Sequence, residues 1–254
     1  MASLVLFVVA LAAERRALEG LLQVRRSERL GDRRAVRGRL AGRDVLLVQS
    51  GIGRERARRA VAAAAREFHL QAAWSLGFAG GLSDRLRPGD LVYATAILDA
   101  ADPAGTPLTA DPSHAIVYAA LRDADLPVDP GALITVKAAL GTPDAKRAAG
   151  RQSGAVAVEM EAAGVAWAAR DLGIPWAALK AIVDGVGDPL PQFLEACTTP
   201  QGDLRWRGLW TGVLEGRQFW RSLRRVGLAS RRASHSLRQG LKVAFDAWAA
   251  LTPY

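Results

Sequence analysis

Cysteine is almost missing from this 254-residue chain; the only one is Cys197. A single thiol excludes an internal disulfide and fits a reducing compartment. Without Cys or His companions at metal-ligand spacing, Cys197 reads as a structural residue. The three histidines, His69, His114 and His235, are too scattered for a zinc motif, and no metal is expected. Long apolar runs are absent too, so no segment reads as a bilayer span. The run Ala2–Ala13 ends in small residues but has no positively charged stretch before it. It is therefore read as a first buried strand, SLVLFVVAL, rather than a secretory leader, and a cytoplasmic protein is expected. Low-complexity linkers are lacking as well, which argues against two equal domains.

Half of the residues are apolar and 23% are charged, as in ordinary globular proteins. The formal net charge is +9, and it is unevenly placed. Residues 201–254 hold ten Lys and Arg against Asp203, Glu215 and Asp246, which is +7 and leaves +2 for the first 200 residues. A near-neutral body with a basic tail is the implied organisation: an α/β domain over 1–195 and a Trp-rich helical extension over 196–254.

Along the body, short β-branched runs alternate with Ala- and Arg-rich segments of helical period. The pattern predicts strands at Ser3–Leu11, Asp44–Gln49, Ala72–Leu76, Asp90–Ala96, Ala132–Ala138, Ala155–Glu159 and Trp176–Val183. Helices are expected at Ala12–Val24, Arg54–Phe68, His114–Ala124 and Met160–Leu172. Such alternation implies one three-layer αβα domain around a mixed, mainly parallel sheet, with ligands at the carboxyl ends of the strands. In the tail, Leu237, Leu241, Ala244, Phe245 and Trp248 fall on one helical stripe. Trp206, Leu209, Trp210 and Val213 form another.

Three strands end in unusual chemistry at that edge. The turn Ser50–Gly53 (SGIG) can expose amides to a ligand, with Gly51 and Gly53 allowing close approach and Arg54 opening the next helix. A plain αβ turn explains it equally simply. The second, Gly77–Leu82 (GFAGGL), reads as a break in the strand; its backbone suits a flat base, with Phe78 as a stacking candidate. A tight turn with a core Phe is the bland alternative. The third is Asp184-Gly185, ending the last core strand, while Glu161 stands near the start of the helix before it. Two acids delivered to one crevice suit chemistry on a sugar: one holds hydroxyls, the other donates a proton to a leaving base. Glu14, just past the first strand, is by itself an ordinary helix N-terminal acid. It gains a function only if it shares that crevice.

The segments SGIG, LGFAGGLSDRLRPGDLV, AVEMEAAGVAWAARDLGIP and LKAIVDGVGD resemble the nucleoside phosphorylase and nucleosidase superfamily over about residues 3–190. The look is nearest to methylthioadenosine/S-adenosylhomocysteine nucleosidases and hopanoid-associated phosphorylase-like proteins. By that resemblance Met160 and Glu161 bind ribose, and Asp184 protonates the departing purine at N7. Phe78, Ala79 and Gly80 wall the base and sugar, and Glu14 activates the attacking water. Ser50, Gly51, Gly53 and Arg54 are candidates for an anion or the 5′ side. Side chains for the 5′ group are sought around Leu98–Thr109 and Thr135–Thr142. Val183 stands where the family often has serine, and Lys180 where it has arginine.

The chemistry agrees. Breaking an N-glycosidic bond builds positive charge on the ribosyl carbon and negative charge on the purine, so a protonated carboxyl near the base is valuable. Burial of Asp184 behind the apolar AIV run favours that state, while Glu161 is expected to stay ionised at the sugar. No cofactor is expected, although phosphate is an alternative nucleophile. The places of the family's phosphate ligands look like Ser75 and Phe78, which favours water.

The implied substrate is a small-molecule nucleoside, a 5′-substituted adenosine. The hopanoid-associated relatives imply adenosylhopane, cleaved to a ribosylhopane. Methylthioadenosine/S-adenosylhomocysteine cleavage and general purine nucleoside phosphorolysis stay open. So does a non-catalytic, membrane-associated nucleoside-binding protein, motivated by Val183, Lys180 and Phe78. The basic tail either covers the sheet edge or forms an oligomer interface, a homodimer being expected, or it meets anionic lipid at the inner face of the membrane. Nucleic acid is not an expected partner, because the arginines fall in no recognised nucleic-acid fold.

Overall fold

The structure, a computed structural model, describes residues 3–190 and 217–251. The tail stripe at Trp206–Val213, Cys197 and the expected boundary after residue 195 lie outside the described residues. The first strand, β1 (Ser3–Val9), shows why both sheet faces are covered. Val5, Phe7 and Val9 belong to one core cluster, and Leu4, Leu6 and Val8 to another. A continuous apolar run is what a strand buried on both faces requires.

Among the described residues twelve strands form one mixed sheet. β1 pairs in parallel with β4 (Arg43–Gln49) and with the long β5 (His69–Gly81). β5 in turn pairs in parallel with β12 (Trp176–Asp184) and, at its far end, antiparallel with β11 (Ala157–Glu159). β10 (Ala132–Thr135) joins β11 to β7 (Ala96–Asp99), and β8 (Leu108–Thr109) closes that edge. β6 (Leu91–Tyr93) and β9 (Val128–Asp129) continue from β12. On one face lie α2 (Arg54–Glu67) and α5 (Ala162–Asp171), packed with Ala57, Ala60, Ala64, Val165 and Ala169 at their contacts. On the other lie α1 (Ala12–Glu19), α3 (Ser113–Asp123) and α6 (Arg217–Leu251).

Several boundaries differ from the sequence expectation. The chain does not stay helical to Val24: α1 ends at Glu19, and residues 23–40 form a hairpin of β2 (Gln23–Leu30) and β3 (Arg33–Leu40). Its first strand is almost wholly exposed at the sheet edge, so arginines replace the apolar alternation that marks most strands. The GFAGGL segment does not break the strand either. β5 continues through it to Gly81, because its backbone still pairs with Ala181, Ile182 and Asp184 of β12 and with Ala157 and Val158 of β11. The expected strand Asp90–Ala96 is divided between β6 and β7. A further helix, α4 (Pro143–Ser153), precedes β11.

The stripe Leu237, Leu241, Ala244, Phe245 and Trp248 enters the main core beside Phe7 and Trp74. Trp74 stands edge-on to Phe245 at 5.6 Å and to Trp248 at 6.0 Å. This stripe of α6 is therefore a core element and is not free to lie on lipid. Among the described residues no helix is long and apolar enough to cross a membrane, and no group of three or more acids, His or Cys is placed to hold a metal.

Candidate active site

The ends of β1, β5, β11 and β12 surround a cavity of about 220 Å³. Glu14, Phe78, Ala79, Gly80, Met160, Glu161 and Asp184 all line it. Aliphatic side chains complete the wall: Leu11, Ile52, Val136, Ala139, Leu140 and Leu190. The fold thus brings together at one place three acids that are remote in sequence.

Glu14 lies in the first turn of α1, where β1 has just ended. Its Oε2 accepts hydrogen bonds from the backbone N–H of Ala10 at 2.9 Å and Leu11 at 2.8 Å, and its Oε1 from Phe78 at 2.7 Å. Gly77 makes this possible: its φ is +142°, and a Cβ there would sit 2.5 Å from Glu14 Oε1. Burial pushes the Glu14 carboxyl above its ordinary value, and Lys180 with the three amides offsets only part of that.

Glu161 is the N-cap of α5 rather than a residue inside it, and its Oε1 accepts from the Gly53 amide at 2.8 Å. Behind it is a group that the sequence reading missed. Glu159 Oε2 accepts from the amides of Glu161 at 2.9 Å and Ala162 at 2.8 Å, so it anchors the unpaired N–H groups at the start of α5. Thr135 donates to Glu159 Oε1 at 2.5 Å and accepts from the Ala163 amide at 3.0 Å. Lys180 closes the group with its ammonium 3.0 Å from Glu159 Oε2.

One cation therefore serves three buried carboxylates, Glu14, Glu159 and Glu161. Burial, then the neighbouring Glu159, push Glu161 up to about 8, although Lys180 and the Gly53 amide oppose the rise. That rise favours the protonated form of Glu161 near neutral pH, against the expectation that it stays ionised. Burial lowers the Lys180 ammonium, but Glu159, Glu161 and Glu14 together carry it above its ordinary value. The lysine is charged and cannot act as a base.

Asp184 ends β12 after a bulge. Ile182 is paired with Ala79 and Asp184 with Gly80, so Val183 is the extra residue. Bulges re-aim side chains, and here Asp184 comes to the cavity wall, with Oδ2 only 3.1 Å from where a Cβ of Gly80 would stand. Burial raises its carboxyl, and the ion pair with Lys146 pulls in the other direction without cancelling the rise. This is the protonated tendency expected of an acid for a leaving base. Lys146, on α4, did not figure in the sequence reading; Thr142 as N-cap, Pro143 and the left-handed Gly154 bound its helix and were readable signals.

The SGIG turn is placed differently from its candidate role. Ser50 Oγ donates to the Gly51 carbonyl at 2.8 Å, with the Val9 carbonyl also in reach at 3.2 Å, and Gly53 is committed to Glu161. Arg54 pairs with Asp99 at 2.7 Å and lies over Trp167. Of this turn only Ile52 lines the cavity. The Thr135–Thr142 loop contributes Val136, Ala139 and Leu140, whereas no residue of Leu98–Thr109 reaches the wall.

Residues 5–199 match the model of the phosphorylase superfamily. Among solved structures, a 5′-methylthioadenosine/S-adenosylhomocysteine nucleosidase from Neisseria meningitidis, bound to methylthio-immucillin-A, is similar with TM-score 0.74 at 20% identity, over 97% of this chain and 100% of that one. A single-residue mutant of the Helicobacter pylori nucleosidase with 5′-methylthioadenosine in its active site gives 0.75 at 17% identity, over 97% and 99%. Futalosine hydrolase of Helicobacter pylori gives 0.72 at 16%, over 96% and 97%. At these identities the likeness is one of fold.

Proposed function

Because the chain belongs to the phosphorylase superfamily, we propose that it breaks the N-glycosidic bond of a 5′-substituted adenosine and releases adenine, with water as the nucleophile. The observation that carries this reading is the convergence of Glu14, Glu161 and Asp184 on one cavity. In the proposed reaction the C1′–N9 bond breaks and its electron pair passes to the purine. Asp184 gives its proton to N7, so that a neutral base departs. Glu161 holds the ribose hydroxyls, beside the backbone of Met160. Water adds to C1′ and yields its proton to Glu14, whose burial makes it a better base than a solvated carboxylate. Positive charge on the ribosyl carbon develops close to an acid-rich cluster in which Glu14, Glu159 and Glu161 share one lysine, which favours the oxocarbenium-like state.

Water is supported over phosphate by the lining. Among the described residues no arginine lines the cavity, and Lys146, the one cation there, is already paired with Asp184. The Neisseria protein is named for methylthioadenosine, and the Helicobacter nucleosidase holds it in its active site. An apolar 5′ substituent is supported here by Leu11, Ile52, Val136, Leu140 and Leu190. The hopane of adenosylhopane is an apolar group of that kind, and the sequence resemblance is what brings it forward.

The test is release of adenine by the full chain from methylthioadenosine, adenosylhomocysteine and a 5′-alkyl adenosine mimicking adenosylhopane, with and without phosphate. The expected products are adenine and a free sugar, formed at the same rate without phosphate and fastest from the most apolar substituent. A sugar 1-phosphate would overturn water as nucleophile. No adenine from any substrate would overturn the enzymatic reading.

A further inference from the structure

Lys146 is among the most deeply buried charged residues, with no exposed surface, and lies on the cavity wall. An isolated ammonium in such a place loses its hydration at a large cost unless acceptors replace the water. Its three N–H groups meet three acceptors: Asp184 Oδ2, the Gly185 carbonyl at 3.0 Å and the Asp188 carbonyl at 2.7 Å. All three belong to the end of β12 and the turn after it. Asp188 also holds that turn from the other side, its Oδ2 accepting from the Gly185 amide at 2.9 Å. The other oxygen of Asp184, Oδ1, accepts no hydrogen bond among the described residues, although the residue lines the cavity.

We propose that Lys146 is a positioning residue for the acid: it fixes Oδ2 of Asp184, leaves Oδ1 for the base, and stabilises the carboxylate that forms as the proton departs. The inference rests on the reading of Asp184 as the acid that protonates the leaving purine. A carboxyl buried against apolar strands and nothing else would keep its proton too tightly to give it up in step with C1′–N9 cleavage. A fixed ammonium 38 residues away in sequence and in contact in space offsets that, since the pair is neutral only after the transfer. The proton moves from Asp184 to N7, the electron pair of the broken bond goes to the purine, and Lys146 takes no part in the transfer itself.

The groups facing Asp184 are Lys146 and Asp188, the latter raising its carboxyl further. Replacing the ammonium by a neutral group of similar length therefore has a signed outcome. With ¹³C-labelled aspartate in the full chain, the Asp184 carboxyl is identified as the signal lost in Asp184→Asn. In Lys146→Met it is expected to titrate about one to three pH units higher than in the wild type, the range for a close opposite charge. Because the reaction needs protonated Asp184, the alkaline limb of kcat/KM moves up with it, while the rate at the optimum falls about ten- to a hundredfold, less than on loss of the acid itself. Lys146→Gln, which keeps donors for the two carbonyls but not the charge, is the second variant should methionine not fold; thermal melting reports folding of both. An unmoved Asp184 titration in a folded neutral variant overturns the proposal, whatever the rate. A moved titration in a chain whose wild type releases no adenine sinks the enzymatic reading alone and still supports the pairing.

Discussion

Strand β5 carries Trp74 in its first half and the Gly77–Gly81 run in its second, and the two halves live in opposite surroundings. Around Trp74 the neighbours are close-packed rings: Phe7 at 6.0 Å, Phe245 at 5.6 Å, Trp248 at 6.0 Å and Tyr93 at 6.4 Å between ring centroids. Around Gly77–Gly81 the neighbours are Glu14 and Asp184, with Glu159, Glu161 and Lys180 behind them. The first half gains stability by hiding large rings from water. The second holds charges in a place where burial works against them, kept there by amide donors and two lysines. β12 repeats the arrangement: Ala178 and Leu179 are core residues, whereas Lys180 and Asp184 serve the cavity. One strand thus supports the fold at one end and carries the chemistry at the other.

If that division is right, changes at the two ends should have separable effects. The largest is expected from Asp184→Asn, which leaves the shape but removes the proton donor: adenine release by the folded chain should fall about 10²–10⁴-fold, and the melting temperature should fall as well, because Lys146 loses its charged partner. A variant as active as the wild type would remove Asp184 from the chemistry. Glu14→Gln should follow with a loss of about 10²-fold or more in steady-state rate, since it removes the base while an amide oxygen can still accept from the Phe78 backbone. Retained water-dependent cleavage would point to another base.

At the aromatic end the order reverses. Phe245 is fully buried, and Phe245→Ala should cost about 3–5 kcal/mol of stability by denaturant unfolding, with the specific activity of the folded fraction nearly unchanged. A large fall in activity per folded molecule would show that α6 belongs to the site as well. A last effect concerns pH. Glu161 ionises at about 8 in the folded chain against an ordinary 4.5, so between those values the folded state alone keeps the proton and stability declines as pH rises. Glu161→Gln removes this group, and its melting temperature should gain on the wild type steadily across that window. Parallel curves there would contradict the buried, protonated state.

Much of the scaffold was legible because burial on both sheet faces leaves unbroken apolar runs, as in Ser3–Val9, and because the alanines of α2 and α5 recur at helical period. The hairpin at residues 23–40 was not, since an exposed edge strand is free to be arginine-rich and loses its alternation. GFAGGL misled through its glycines, which serve close approach to Glu14 and Asp184 within a continuing strand rather than a turn. Glu14, Glu161 and Asp184 could be singled out from where strands end. Their supporting groups could not: Thr135, Glu159, Lys180 and Lys146 act through contacts between residues far apart in sequence, such as Lys180 on Glu159 and Lys146 on Asp184. Only the tertiary fold creates those pairs. Arg54 erred in the other direction, since Asp99 takes the guanidinium that looked free for an anion.

The central claim is that a single nucleoside lies between Glu161 and Asp184. A structure of the full chain with a non-cleavable 5′-substituted adenosine analogue tests it most directly. The expected result is a ribose hydroxyl on the Glu161 carboxyl, the purine N7 side at Asp184, and the 5′ group against Leu11, Val136 and Leu140. A ligand seated elsewhere, or bound with both acids on the same end of it, would contradict the assignment.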